Sequence, residues 1–116
     1  MAEGAKVLRT IYIDPEVDDR LRELAACSDL SKAELFRRYL AAGIKAAKAR
    51  PSVFAALMPT NSQPLVLRTV YMDPKLDDRL RVQAFDERVS KNDLMRRYVQ
   101  LGMSLTTVQP TAKARG

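Results

Sequence analysis

Two stretches of the chain carry hydroxyl and ammonium groups at matching places: Thr10 and Tyr12 ahead of Ser31-Lys32, and Thr69 and Tyr71 ahead of Ser90-Lys91. Hydroxyls donate and accept hydrogen bonds, and a lysine ammonium donates three. Such groups hold a phosphate or a polar edge; they do not by themselves break bonds. Histidine is absent and cysteine occurs once, at Cys27. This removes the usual general base near neutral pH, the commonest metal ligand, and every Ser-His or Cys-His nucleophile pair. A single thiol forms no intramolecular disulfide and fits a reducing cytoplasm. Asp18-Asp19 would be a natural metal or acid–base pair, but neighbours on a helix point about 100° apart and do not converge. Charge at the start of a helix is role enough for them. The expectation is a binding protein, not an enzyme, with no metal and no cofactor.

The elements that position these groups are written twice. Val7-Leu8-Arg9-Thr10-Ile11-Tyr12-Ile13-Asp14-Pro15 returns as Val66-Leu67-Arg68-Thr69-Val70-Tyr71-Met72-Asp73-Pro74, an offset of 59 that holds without a gap through Ala46 and Leu105. Of the 40 paired positions 20 are identical, including Arg37-Arg38-Tyr39 with Arg96-Arg97-Tyr98. A unit of about 40 residues is near the size below which a chain struggles to bury enough surface alone. The two units are therefore expected to complete each other.

Each unit reads as strand, helix, helix. Leu8 to Ile13 alternates, with Ile11 and Ile13 on one face and Leu8, Thr10 and Tyr12 on the other. In the second copy Val70 and Met72 oppose Leu67, Thr69 and Tyr71. Asp14 then Pro15 starts a helix, a carboxylate at the N-cap and a proline where no amide is needed. Val17, Leu21, Leu24 and Ala25 make its apolar stripe, which ends around Ala26 to Asp29. A second helix opens with a capping box, Ser31 and Glu34, and a staple of Leu30 on Leu35; Ser90, Asp93, Val89 and Leu94 repeat it. Gly43 and Gly102 inside this helix cost roughly 1 kcal/mol each relative to Ala, so a close helix approach or a helix end is expected there. A lone strand of this length needs a partner, and the other repeat has the matching one. The fold class is thus mainly α with a two-stranded antiparallel β-ribbon, Leu8–Ile13 against Leu67–Met72.

The 116 residues are 47% apolar and 29% charged, a soluble globular composition. One compact domain is expected over 1–116, comprising a first half 7–46, a linker 47–65, a second half 66–105 and a flexible tail 106–116. No stretch reaches the roughly 18 apolar residues of a membrane span. Met1 to Lys6 holds no apolar leader core. The linker carries Pro51, Pro59 and Pro64 around an apolar middle, Val53 to Met58, either a helical turn over the core or a docking patch for a partner. Net charge is +6, yet the two repeats supply only two of those charges, the linker and the tail two each. Bulk charge is a weak argument for a nucleic-acid partner, and placement must carry it.

At this point the residues resemble the ribbon-helix-helix superfamily, the Arc and MetJ type of DNA-binding protein. The resemblance rests on R-T-[IV]-Y-[IM]-D-P, the leucine stripe, and [LV]-S-K-x-[ED]-L-x-R-R-Y, over about 80 of the 116 residues. Two copies on one chain look most like TraY- and VirC-type accessory proteins of DNA transfer, a tandem pseudo-dimer in which one chain supplies both ribbon strands. The resemblance implies double-stranded DNA as partner, with the ribbon in the major groove. Base contacts would fall to Leu8, Thr10, Tyr12, Leu67, Thr69 and Tyr71, and phosphate contacts to Ser31, Lys32, Ser90 and Lys91. It implies a cytoplasmic protein, monomeric as a pseudo-dimer and able to bind DNA in several copies, with a relaxase or other DNA-processing protein as second partner. A transcriptional autorepressor is the alternative role, and an antitoxin-like interaction module the alternative of another class.

No acidic residue occurs within Val7–Ile13 or Val66–Met72, although anions crowd the following turn. Relatives often carry Arg, Lys, Asn or Gln on the outer strand face; Leu8 and Leu67 stand there instead, and leucine can touch a thymine methyl but cannot select guanine. Arg9 and Arg68 fall on the inward parity, either swinging out to DNA or lying over the core edge. Thr10 and Tyr12 suit any strand surface, but they are kept in both copies while Ile11 and Ile13 drift to Val70 and Met72. Arg37-Arg38 and Arg96-Arg97 are read as partners of Asp18 or Asp19, solvated helix faces, or backbone contacts. Tyr39 and Tyr98 belong to the core, and Cys27, aligned with Asp86, is a small buried or interfacial residue.

Overall fold

β-branched and apolar residues at alternate positions build the two strands, β1 (Val7–Ile13) and β2 (Val66–Met72), which pair antiparallel in the computed structural model of residues 6–50 and 64–105. The register sets Thr10 opposite Thr69 at the centre, Leu8 opposite Tyr71 and Tyr12 opposite Leu67. Ile11, Ile13, Val70 and Met72 are buried beneath the ribbon, as period two requires. The expectations for residues 53–58 and for the tail lie outside the described residues.

Each strand runs into a helix through an Asp-Pro step. The helices are α1 (Pro15–Ala26) and α3 (Pro74–Glu87), each with an extended N-cap aspartate and proline in its first turn. The two caps differ. Asp73 accepts from the Lys75 amide at 2.9 Å, whereas Asp14 makes no side-chain cap bond because its carboxylate is held elsewhere. Leu21 and Leu24 of α1, and Leu80 and Ala84 of α3, fill the core. Arg88 then turns the chain out of α3 with φ at 60°, a left-handed conformation usually left to glycine.

The longer helices are α2 (Lys32–Ala49) and α4 (Lys91–Leu105). α2 runs to Ala49, into the residues that the sequence assigns to the linker, and buries Ala47 on the way. The largest contacts in the molecule, α2 on α4 and β1 on β2, both join one repeat to the other. At the helix crossing the backbones touch. A Cβ added to Gly43 would lie 1.8 Å from the Tyr98 carbonyl oxygen, and one added to Gly102 would lie 2.1 Å from that of Tyr39. This is the close approach that a glycine inside each helix predicts. Tyr39 and Tyr98 are core residues, their hydroxyls pushed up from the ordinary value by burial, and Tyr98 donates to Gln83 Oε1 at 2.7 Å. Neither repeat has a core of its own; Leu35, Phe36 and Leu40 of one meet Leu94, Met95 and Val99 of the other in a single cluster.

Candidate nucleic-acid interface

The outer face of the ribbon carries Leu8, Thr10, Tyr12, Leu67, Thr69 and Tyr71, all exposed to solvent. Antiparallel pairing arranges them with approximate two-fold symmetry, two threonines at the centre and a leucine beside a tyrosine at each end. The four large side chains are about half exposed, between 49% and 54%. An exposed apolar and aromatic patch of this kind marks a binding surface more often than a monomer's bare exterior. Its hydroxyls can hydrogen-bond and its leucines offer methyl contact, but nothing on it is charged.

Below the ribbon lie two carboxylates that the sequence reading left as first-turn charges. Asp18 is 3% exposed and Asp77 1%. Asp18 accepts from Arg68 Nε at 3.0 Å and Nη2 at 2.9 Å, a bidentate pair, and Lys32 Nζ lies 2.8 Å away. Asp77 has the corresponding partners, Arg9 Nε and Nη2 both on its Oδ2 at 3.0 Å and Lys91 Nζ on its Oδ1 at 2.6 Å. Each centre therefore ties the ribbon strand of one repeat to the first two helices of the other. Burial pushes both carboxyls up, but the hydrogen bonds from arginine and lysine outweigh it and hold them below the usual 3.8. Arg9 and Arg68, read from the sequence as reaching DNA or lying over the core edge, are engaged by these carboxylates. Inward parity at this height on the strand sets each guanidinium over the other repeat's aspartate.

The N-termini of α2 and α4 flank the ribbon's helices with the expected caps. Ser31 Oγ accepts from the Glu34 amide at 3.1 Å and Ser90 Oγ from the Asp93 amide at 2.9 Å. The return half of each capping box is replaced. The Glu34 carboxylate takes Arg37 at 2.7 Å and Arg38 at 3.4 Å, which lowers its pKa, and Asp93 takes Arg96 at 3.0 Å. A guanidinium one turn on competes better for the carboxylate than a single neutral amide does. Lys32 and Lys91 stand at the start of these helices, partly exposed at 33% and 26%, but turned onto Asp18 and Asp77.

The arginine pairs also find partners other than Asp18 and Asp19. Arg37 donates to Glu34 and, at 3.2 Å, to the Tyr71 carbonyl. Arg96 is 4% exposed and grips both oxygens of Asp14, at 2.8 and 3.0 Å, which raises its pKa. Asn92 was not foreseen at all. Its Oδ1 accepts from the Tyr12 amide and its Nδ2 donates to the Tyr12 carbonyl, both at 2.8 Å, so a side-chain amide pins the edge of β1 as a further strand would. Its counterpart in the first repeat is Ala33, which has nothing to offer β2. The contrast of Ala33 with Asn92 was visible in the aligned repeats, but its partner was not.

Among the described residues no group of His, Cys, Asp or Glu could hold a metal ion, and no helix is long and apolar enough to cross a membrane. Residues 10–47, from the middle of β1 through most of α2, match the family model of ribbon-helix-helix proteins of the copG family. No curated protein and no solved structure matches the chain. The matched segment is one strand–helix–helix unit, and the described fold, mainly α with a two-stranded antiparallel ribbon, is of the same type.

Proposed function

We propose that this protein binds double-stranded DNA by laying the outer face of its ribbon in the major groove, without catalysis. The carrying observation is the six-residue outer face: exposed, uncharged and in two-fold register. A two-stranded ribbon fits the major groove. In this reading Thr10 and Thr69 hydrogen-bond base edges at the centre, Tyr12 and Tyr71 do so toward the ends, and Leu8 and Leu67 contact thymine methyls. The free first amides of α2 and α4, with Ser31, Lys32, Ser90 and Lys91, hold backbone phosphates on either side.

The doubled repeat further supports an accessory role in DNA transfer, marking a transfer origin or border beside a relaxase. Capture of fragmented genomic and plasmid DNA on the purified protein, followed by sequencing, tests both levels. One enriched site beside genes for a nicking enzyme supports the transfer role, and one at the protein's own promoter makes it a repressor. No enrichment, with binding lost at moderate salt, removes sequence-specific readout.

A further inference from the structure

Lys32 and Lys91, the cations best placed to meet phosphate, are already occupied. Each is partly exposed while the carboxylate it touches is not: the side chains of Asp18 and Asp77 are only 5% and 2% exposed. A lysine on a flexible four-carbon stem can turn outward, but the buried aspartate cannot follow. When the lysine leaves, the aspartate keeps an arginine from the opposite strand, Arg68 on Asp18 and Arg9 on Asp77, so its charge stays paired inside the protein. The neighbouring Asp19 and Asp78 differ in all these respects. They are 60% and 63% exposed and, among the described residues, pair along their own helices, with Arg22 and Arg81.

We infer that Asp18 and Asp77 are positioning residues that compete with DNA phosphate for Lys32 and Lys91, and so limit the charge this protein offers to duplexes of any sequence. The inference rests on the DNA-binding reading above. In the free protein each lysine is held by a buried carboxylate that it shares with an arginine, and a random duplex must draw it away from that carboxylate. Well-fitted DNA, held at the ribbon, keeps the phosphate beside the helix N-terminus long enough for the exchange to be favourable. The aspartates thereby widen the gap between specific and random binding instead of adding affinity.

The test measures binding to a short random-sequence duplex across a range of salt concentrations, for the wild type, for Asp18→Asn with Asp77→Asn, and for Asp19→Asn with Asp78→Asn. Both variants remove the same formal charge one residue apart. Each additional phosphate neutralised adds about 0.9 to the slope of log affinity against log salt. The Asp18/Asp77 variant is expected to bind random duplex roughly tenfold more tightly at low salt, with a slope steeper by about two units. The Asp19/Asp78 variant should change the slope by less than about half a unit. Equal effects of the two variants, or no gain in a folded Asp18/Asp77 variant, overturn the inference. Should that variant fail to fold, the ammonium proton signals of Lys32 and Lys91 in the wild type decide. They shift and exchange faster on saturation with duplex if the lysines leave their carboxylates, and stay unchanged if the inference is wrong. A wild type that binds no duplex even at low salt instead defeats the DNA-binding reading itself.

Discussion

The two repeats agree closely at the carboxylate centres and part company at the ribbon's edges. Asp18 with Arg68 and Lys32 matches Asp77 with Arg9 and Lys91, and both lysines sit at the start of the second helix. At the edges, β1 is pinned at Tyr12 by both arms of Asn92, and the cap Asp14 is locked by the buried Arg96. β2 is met at the Tyr71 carbonyl by Arg37, and Asp73 caps its own helix. Joining two copies in one chain frees each from being its own partner's mirror. The face offered to solvent has kept its two-fold pattern, while the contacts holding each strand end have diverged.

The largest expected effect falls where the repeats are most alike. Gly43→Ala and Gly102→Ala each force a methyl group into a backbone carbonyl of the facing helix, and should cost at least about 3 kcal/mol by urea unfolding. The two losses should be similar; a tolerated alanine at either site would mean that the helices cross less closely. The next effect breaks the symmetry. Arg96→Met leaves the partly buried Asp14 carboxylate without its main partner and is expected to cost about 2 kcal/mol. Arg37→Met, at a partly exposed site, should cost under about 1 kcal/mol. Equal costs would show that the difference between the two ends has no energetic weight.

A finer comparison exchanges the edge residues. Asn92→Ala removes two hydrogen bonds from the β1 edge and should cost about 1–2 kcal/mol, with faster amide exchange at Tyr12. Ala33→Asn offers β2 the same clamp, and is expected to slow exchange of the Tyr71 amide and return part of a kcal/mol. No protection at Tyr71 would place the asymmetry in the backbone rather than in the side chain. The carboxylate centres should act alike as pH falls. Asp18 and Asp77 titrate below their ordinary 3.8 in the folded protein, so their contribution is fully present above that value. It is lost as pH falls from there through the lower folded-state values. Thermal melts between pH 6 and pH 2 should show this decline, and Asn at either position should flatten it by about half; an unaltered slope would place the titrating groups elsewhere.

Much of this architecture was legible because it is local or periodic. The offset between repeats, the alternation of Ile11 and Ile13 with Thr10 and Tyr12, the Asp-Pro helix starts and the paired glycines each follow from neighbours in the chain. The electrostatic centres were not legible. Arg68 lies 50 residues from Asp18, and a carboxylate in a first helical turn has a sufficient local reason to be there. Asn92 lies 80 residues from Tyr12 and Arg96 lies 82 from Asp14, distances that only the ribbon's register closes. The Glu34 and Asp93 carboxylates had a local partner in the capping box and a stronger one a turn later, and the arginine won.

The central claim is that the outer ribbon face reads DNA. Its most direct test compares the wild type with Thr10→Ala plus Thr69→Ala, on the captured site and on a random duplex at one salt concentration. The account predicts a loss of at least about tenfold on the captured site, from two hydroxyl contacts at about 1 kcal/mol or more each, with random binding nearly unchanged. Equal losses on both duplexes, or none on either, would contradict it.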